Sequence, residues 1–423
     1  MSSLLDRYAG VVGERVIDHL RQLGSLLDGA RVVHVNSTRA GGGVAEILNK
    51  LIPLMDELGL STEWLVVKGE APFYECTKAF HNGLQGQAVD ISEGALRAYE
   101  RTNAENADWL REPLEEADFV FIHDPQPAAL LRYVPRRRGR WIWRCHIDAR
   151  DPHPPVWEYL RNWVSEYEAS IFSLPEFAQP LPHPQYLIPP SIDPLSEKNI
   201  NLPHEEIEDA RSRFNLDPEL PLIVQVSRFD RFKDPLGVIE AYRLVKEFTP
   251  LQLMLVGGGA SDDPEGQLVL DEVRMAARND PDIHIHLLPS DSHRTINAIQ
   301  RAATIVLQKS VREGFGLTVA EGMWKRKPVI GGDTGGIRLQ VVDHHTGFLV
   351  RTPEGAALRI RYLLHRRDLL RTMGLRAHRF VRESFLITRH LQQYLALMMG
   401  LQHGNPERME VGLPGLGKGK SPL

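Results

Sequence analysis

Short apolar runs alternate with helical periods from one end of the chain to the other. Arg31–Asn36, Trp64–Val67, Phe119–His123 and Trp141–Cys145 in the first half have the length and apolar content of buried strands. Leu222–Val226, Leu251–Val256, Ile283–Leu287, Ala303–Leu307 and Pro328–Ile330 repeat the pattern in the second half. Between them, Val44 to Leu58 is periodic and opens directly after Gly41-Gly42-Gly43, and Leu317 to Trp324 reads as a helix following a glycine turn. Asp234 as N-cap and Pro235 as first helical residue start another helix, with Ile239, Tyr242 and Val245 as its buried stripe. Strand and helix in alternation predict an α/β chain folded as two doubly wound domains.

The proline-rich segment Ile188–Pro194 disfavours helix and predicts a semi-rigid linker. The expected division is 1–192, 193–375, a long terminal helix from Arg376 to about Met399 within 376–403, and a disordered tail over 404–423. That tail is rich in Gly, Pro and Lys and has no apolar period. On the terminal helix, Leu386, His390, Tyr394 and Leu397 share one face.

Length and composition agree with this division. A chain of 423 residues is too long for one ordinary core, and 42% hydrophobic with 25% charged residues is normal for a globular protein. A net charge of −5 argues against a general nucleic-acid surface, so anionic ligands must be met by local clusters. Cys76 and Cys145 carry no zinc or redox spacing and predict no disulfide, which fits a reducing interior. The N-terminus lacks the pattern of a signal peptide, and no apolar stretch approaches the roughly 20 residues of a membrane span. The expected location is the cytoplasm.

Candidate chemistry gathers at the ends of strands. In V-R-E-G-F-G-L-T-V-A-E, residues 311–321, Glu313 lies in the loop after an apolar strand and Glu321 lies within the helix that follows. Gly314 and Gly316 can turn backbone N–H groups toward a ligand, and the helix start offers them a partly positive end. In S-R-F-D-R-F-K-D, residues 227–234, Arg228 and Lys233 are displayed on a loop after another strand, where two fixed cations suit a diphosphate. The bland alternatives are solvated loop charges for Arg228, Lys233 and Glu313 and a polar helix face for Glu321. Asp280-Pro281-Asp282 precedes a strand and reads as a turn, so no protein-bound metal is expected. The triple glycine matches no G-x-G-x-x-G spacing, so a nicotinamide cofactor is not indicated.

These segments resemble those of the GT-B glycosyltransferases, in the large retaining family 4, whose signature is E-x7-E with Arg and Lys five apart in an earlier loop. N-S-T-R-A-G-G-G-V-A-E at 36–46, V-G-G-G at 256–259 and G-D-T-G-G-I at 332–337 extend the resemblance over most of the chain. More narrowly, H-D-P-Q-P at 123–127 and R-C-H-I-D at 144–148 resemble the trehalose-forming transferases of that family. The resemblance implies two Rossmann-like domains facing each other across a cleft, the first on the acceptor side and the second binding the donor. It implies glucose transfer from UDP- or ADP-glucose to free glucose, reversibly and with retention, to give α,α-trehalose. Arg228 and Lys233 would stabilise the leaving diphosphate. Gly42, Gly43, Gly314, Phe315, Gly316 and Leu317 would bring backbone close to the donor, and Glu321 would hold its ribose. Glu313 would lie beside the donor sugar, and His146 and Asp124 would face glucose. His146 alone could instead satisfy a backbone group, and Asp124 could be a turn residue before Pro125. No tightly bound cofactor is implied, though magnesium can accompany the nucleotide, and a homodimer is the default partner. A trehalose phosphorylase, a family 4 enzyme with a sucrose, sugar-phosphate or glycolipid acceptor, and a non-catalytic nucleotide-sugar sensor stay open as alternatives.

Overall fold

In the computed structural model the apolar runs form two separate six-stranded sheets, every pairing parallel. The structure describes residues 3–39, 42–258, 264–278, 280–289 and 291–404. Gly41, Gly259 and all of the expected tail beyond Gly404 lie outside these residues.

The first sheet comprises β1 (Arg31–Asn36), β2 (Ser61–Val66), β3 (Phe119–His123), β4 (Arg140–Arg144), β5 (Ala169–Phe172) and β6 (Gln185–Leu187), in the order β2-β1-β3-β4-β5-β6. The second comprises β7 (Leu222–Val226), β8 (Gln252–Gly258), β9 (Ile283–Leu288), β10 (Ile305–Gln308), β11 (Val329–Gly332) and β12 (Gly347–Val350), ordered β12-β11-β10-β7-β8-β9. Strand order reverses between β1 and β3 in one sheet and between β7 and β10 in the other. Such switch points are where open parallel sheets bind ligands, at the carboxyl ends of the strands.

The chain divides into two compact units, residues 1–190 with 387–423, and residues 191–386. In the second unit the stripe Ile239, Tyr242 and Val245 packs with Ile223, Leu253 and Leu255 of the sheet in one buried core. In the first, β3 is buried along its whole length, so its five side chains are apolar except for the terminal histidine.

Three strands of three or four residues, β5, β6 and β12, are not among the expected apolar runs. The single terminal helix is corrected to two, Arg367–Ser384 and Ile387–Gln402. The break falls at Phe385 and Leu386, both buried, although the apolar period runs straight through them. The Phe385 carbonyl accepts the Ile192 N–H at 2.9 Å, and Ile192 pairs with Leu386. A tertiary pairing thus takes a carbonyl that helix continuation would have used. The same pairing lies where Ser191 and Ile192 of the proline-rich segment are buried.

Candidate active site

In the second unit, the two strands at the switch point send out the loops that carry the predicted cations and carboxylates. After β7, Asp230 accepts the Phe232 N–H at 2.7 Å and closes a short 3-10 turn over Arg231–Lys233. Asp234 then enters the left-handed region at φ 50° and caps the helix Pro235–Lys246 by accepting from Gly237 N at 3.1 Å. Buried Lys309, just past β10, pairs with the Asp234 carboxylate. The Val311 N–H donates to the Phe232 carbonyl at 2.8 Å, and Gln225 Nε2 donates to the Lys233 carbonyl at 2.8 Å. With both loops tied in this way, Lys233 Nζ sits 2.6 Å from Glu313 Oε2, and Ser310 Oγ donates to the same oxygen at 3.2 Å. The two charged side chains are only 17% and 11% exposed, so they form an ion pair with little access to water.

Gly316, at φ 84°, starts the helix Leu317–Trp324 in a conformation that side chains rarely adopt. The first turn of a helix leaves its N–H groups without intrahelical acceptors, so Leu317 begins a segment suited to an anion. The 314–316 loop is held from behind: Gly336 N–H donates to the Glu313 carbonyl at 3.1 Å. A Cβ on Gly336 would stand 2.3 Å from Phe315 Cα, so only glycine fits there. Phe315 itself is buried, its ring packing on Phe385 and leaving only its backbone to meet a ligand. Glu321 is buried on this helix, with Lys198 Nζ 3.7 Å from its Oε1. Arg228 stands apart from these contacts. Its side chain is 66% exposed and reaches Asp230 at 3.4 Å, so it is a largely solvent-facing cation while Lys233 is mostly buried.

In the first unit the strand-end residues form a second polar group. Asp124 adopts φ 64°, its N–H bonded to the Arg144 carbonyl at 2.8 Å. Its Oδ1 accepts the His146 backbone N–H at 2.7 Å, and its carbonyl accepts Trp143 Nε1 at 3.0 Å. Asp124 therefore braces the loop that carries His146. Burial pushes its carboxyl up to about 7, against the lowering effect of that N–H and of the Arg144 charge. Burial, with the Arg144 charge adding to it, holds His146 well below the usual imidazole range, so the ring is neutral at physiological pH. The His146 ring is not alone: its Nε2 lies 3.0 Å from His123 Nδ1, and His123 Nε2 lies 3.0 Å from His34 Nδ1. Gly42, at φ 78°, opens the helix Gly42–Glu57, and a Cβ there would meet nothing within 4 Å, so conformation and not space demands glycine. Gly43 follows it as the second helical residue.

Lys309, Ser310, Lys198 and His34 carry no role in the sequence reading, and His123 and Arg144 enter it only as members of the motifs at 123–127 and 144–148. A signal existed for three of them. His34, His123 and Arg144 are buried polar residues in strands dominated by apolar side chains, and a buried polar residue is the informative departure. Lys198 carried none, since it precedes the second sheet in an irregular segment. Asp280 and Asp282 both pair with Lys246, at 2.5 and 3.0 Å, in a turn before β9. Among the described residues no group of three or more His, Cys, Asp or Glu side chains could hold a metal ion, and no helix is long and apolar enough to cross a membrane.

Comparison with known proteins adds to this geometry. Residues 34–179 match the model of the trehalose synthase N-terminal domain, and residues 206–380 match that of glycosyl transferases group 1. A trehalose synthase from Pyrococcus horikoshii is 44% identical over 402 residues, covering 94% of this chain and 96% of the relative. A trehalose phosphorylase from Grifola frondosa is 28% identical, covering 84% of this chain and 55% of the relative. Among solved structures, a UDP-forming α,α-trehalose-phosphate synthase from Burkholderia xenovorans superposes with a TM-score of 0.71 at 15% identity, covering 88% of this chain and 99% of that one, a likeness of fold.

Proposed function

The chain belongs to the trehalose synthase family of GT-B glycosyltransferases, and we propose that it moves glucose from a nucleoside diphosphate glucose to free glucose, reversibly and with retention, forming α,α-trehalose. The observation that carries the donor half of this reading is the Lys233–Glu313 pair, fixed at 2.6 Å between the two switch-point loops and beside a helix start.

Breaking the glycosidic bond leaves negative charge on a phosphate oxygen. Lys233 and Arg228 neutralise that charge, and the amides around Gly314, Phe315, Gly316 and Leu317 accept the phosphate without needing to reorganise. Glu321 takes the ribose hydroxyls, its buried carboxylate oriented by Lys198 Nζ at 3.7 Å. Glu313 holds Lys233 in position and lies beside the donor sugar. In a glycosidase, paired carboxylates flank the bond and one can attack it. Here Glu313 is already committed to a lysine and a serine, which favours a binding role. The acceptor oxygen attacks on the face from which the diphosphate departs, and its proton passes to the departing phosphate oxygen. His146, neutral and braced by Asp124, hydrogen-bonds a glucose hydroxyl. Gly42 and Gly43, without side chains, let a sugar or phosphate approach the backbone closely.

Incubation with glucose and a panel of nucleoside diphosphate glucoses tests the reading. Trehalose and free nucleoside diphosphate in equal amounts are expected. Trehalose cleavage that depends on free phosphate and ignores nucleotide would instead support a phosphorylase.

A further inference from the structure

His34 and His123 have no part in the chemistry proposed above, yet they are buried at 0% and 2% exposure and join His146 in a chain of three rings. The ring nitrogens meet at 3.0 Å at both links, and neighbouring rings stack with centroids 5.3 Å apart. Phe121 stacks on His34 at 4.9 Å and 12°, which fixes the inner end. Burial, reinforced by Arg144 for His123 and His146, keeps these rings neutral, and it pushes His34 down to about 3.

A neutral imidazole has one N–H and one lone pair. Two links through three such rings can then run in only two ways, with every ring donating from Nδ1 or every ring donating from Nε2. The innermost atom, His34 Nε2, is buried and has no hydrogen-bond partner among the described residues. If the rings donate from Nε2, that atom is an N–H buried without an acceptor. If they donate from Nδ1, it is a lone pair, and buried N–H groups lacking acceptors are the rarer fault in folded proteins. The dead end also excludes a proton relay, because a proton passed inward would make a buried imidazolium with nowhere to send it.

We propose that His34 and His123 are positioning residues that lock His146 in the Nδ1–H tautomer, so that it meets the sugar as a hydrogen-bond donor through Nδ1. His34 Nδ1–H donates to His123 Nε2, His123 Nδ1–H donates to His146 Nε2, and the outward nitrogen of His146 keeps the proton. The use of that donor on glucose rests on the transferase reading; the tautomer itself does not.

The test is the protonation of the His146 ring nitrogens in the full chain without substrate, read from 15N chemical shifts of histidine-labelled protein. Wild type is expected to carry the proton on Nδ1. His34→Phe keeps the stack on Phe121 but removes the first donor. It should release His146 to a mixture of tautomers and lower kcat/KM for glucose by about tenfold, the worth of one neutral hydrogen bond. His34→Asn offers an amide N–H near the place of Nδ1–H and should restore both. A proton found on His146 Nε2 in the wild type overturns the proposal without needing any variant to fold. So does a His146 tautomer that His34→Phe leaves unchanged. Because the shifts are read without substrate, a failure of the transferase reading would leave them as they are and show only in the absence of trehalose formation.

Discussion

Replacing Lys233 with Met removes the inner cation and keeps most of its apolar stem. Losing one partner costs about 3–5 kcal/mol for a fully buried ion pair and under about 1 kcal/mol for an exposed one. With side chains 17% and 11% exposed, and Ser310 still donating to Glu313 Oε2, about 2 kcal/mol of stability should be lost. The effect on turnover should be larger, because a preorganised donor aimed at a developing oxyanion is worth about 3–4 kcal/mol, or a hundred- to thousandfold in rate. The assay pairs urea unfolding with trehalose formation from a nucleoside diphosphate glucose at saturating donor and glucose. A second variant, Glu313→Gln, closes a double-mutant cycle. The ion-pair share of the stability loss should then be shared between the two positions, while the Lys233→Met rate loss should persist in the Glu313→Gln background. Turnover within threefold of wild type in a cooperatively folded Lys233→Met protein would falsify the phosphate clamp.

Arg228→Ala should also lower turnover by roughly a hundredfold. Its side chain is 66% exposed, so its unfolding free energy should stay within about 0.5 kcal/mol of wild type; a larger shift would mean that the residue is structural. Gly336→Ala puts a Cβ 2.3 Å from Phe315 Cα, a backbone atom that cannot swing aside. Loss of at least about 2 kcal/mol and a raised KM for the donor are expected, and an unchanged KM would detach that glycine from the 314–316 loop. Burial holds His34 near 3 against an ordinary value of 6.5, so below 6.5 the unfolded chain binds a proton that the folded one refuses. Stability therefore falls as pH drops from 6.5 toward 3, by about 1.4 kcal/mol per pH unit for this histidine. Asp124, raised from 3.8 to about 7, works the other way and loses stability as pH rises between those values. His34→Phe should flatten the acid limb of a urea-measured stability profile, and an unchanged slope would contradict the assignment.

The second sheet and its loops were largely legible because their signals are local. Asp234-Pro235 states a helix start, and the stripe Ile239, Tyr242 and Val245 states its buried face. Gly316 marks a backbone turn that only glycine makes cheaply. What sequence could not supply was pairing at a distance. Lys309 reaches Asp234 across 75 positions, and His34 reaches His123 across 89; neither partner is implied by its own neighbours. The terminal helix breaks at Phe385 for the same reason, since the Ile192 N–H that takes its carbonyl lies far earlier in the chain. Glu321 was read as facing a ligand, and its burial beside Lys198 adds a partner that no spacing rule connects.

Following the anomeric carbon of the acceptor tests the transfer itself. Glucose labelled with 13C at C1 is incubated with the full chain and an unlabelled nucleoside diphosphate glucose, and the products are read by NMR. At early times, before the reverse reaction mixes the two equivalent rings, α,α-trehalose labelled in one ring only is expected, with one nucleoside diphosphate released per trehalose. Label in no disaccharide, with the donor hydrolysed or untouched, would contradict it.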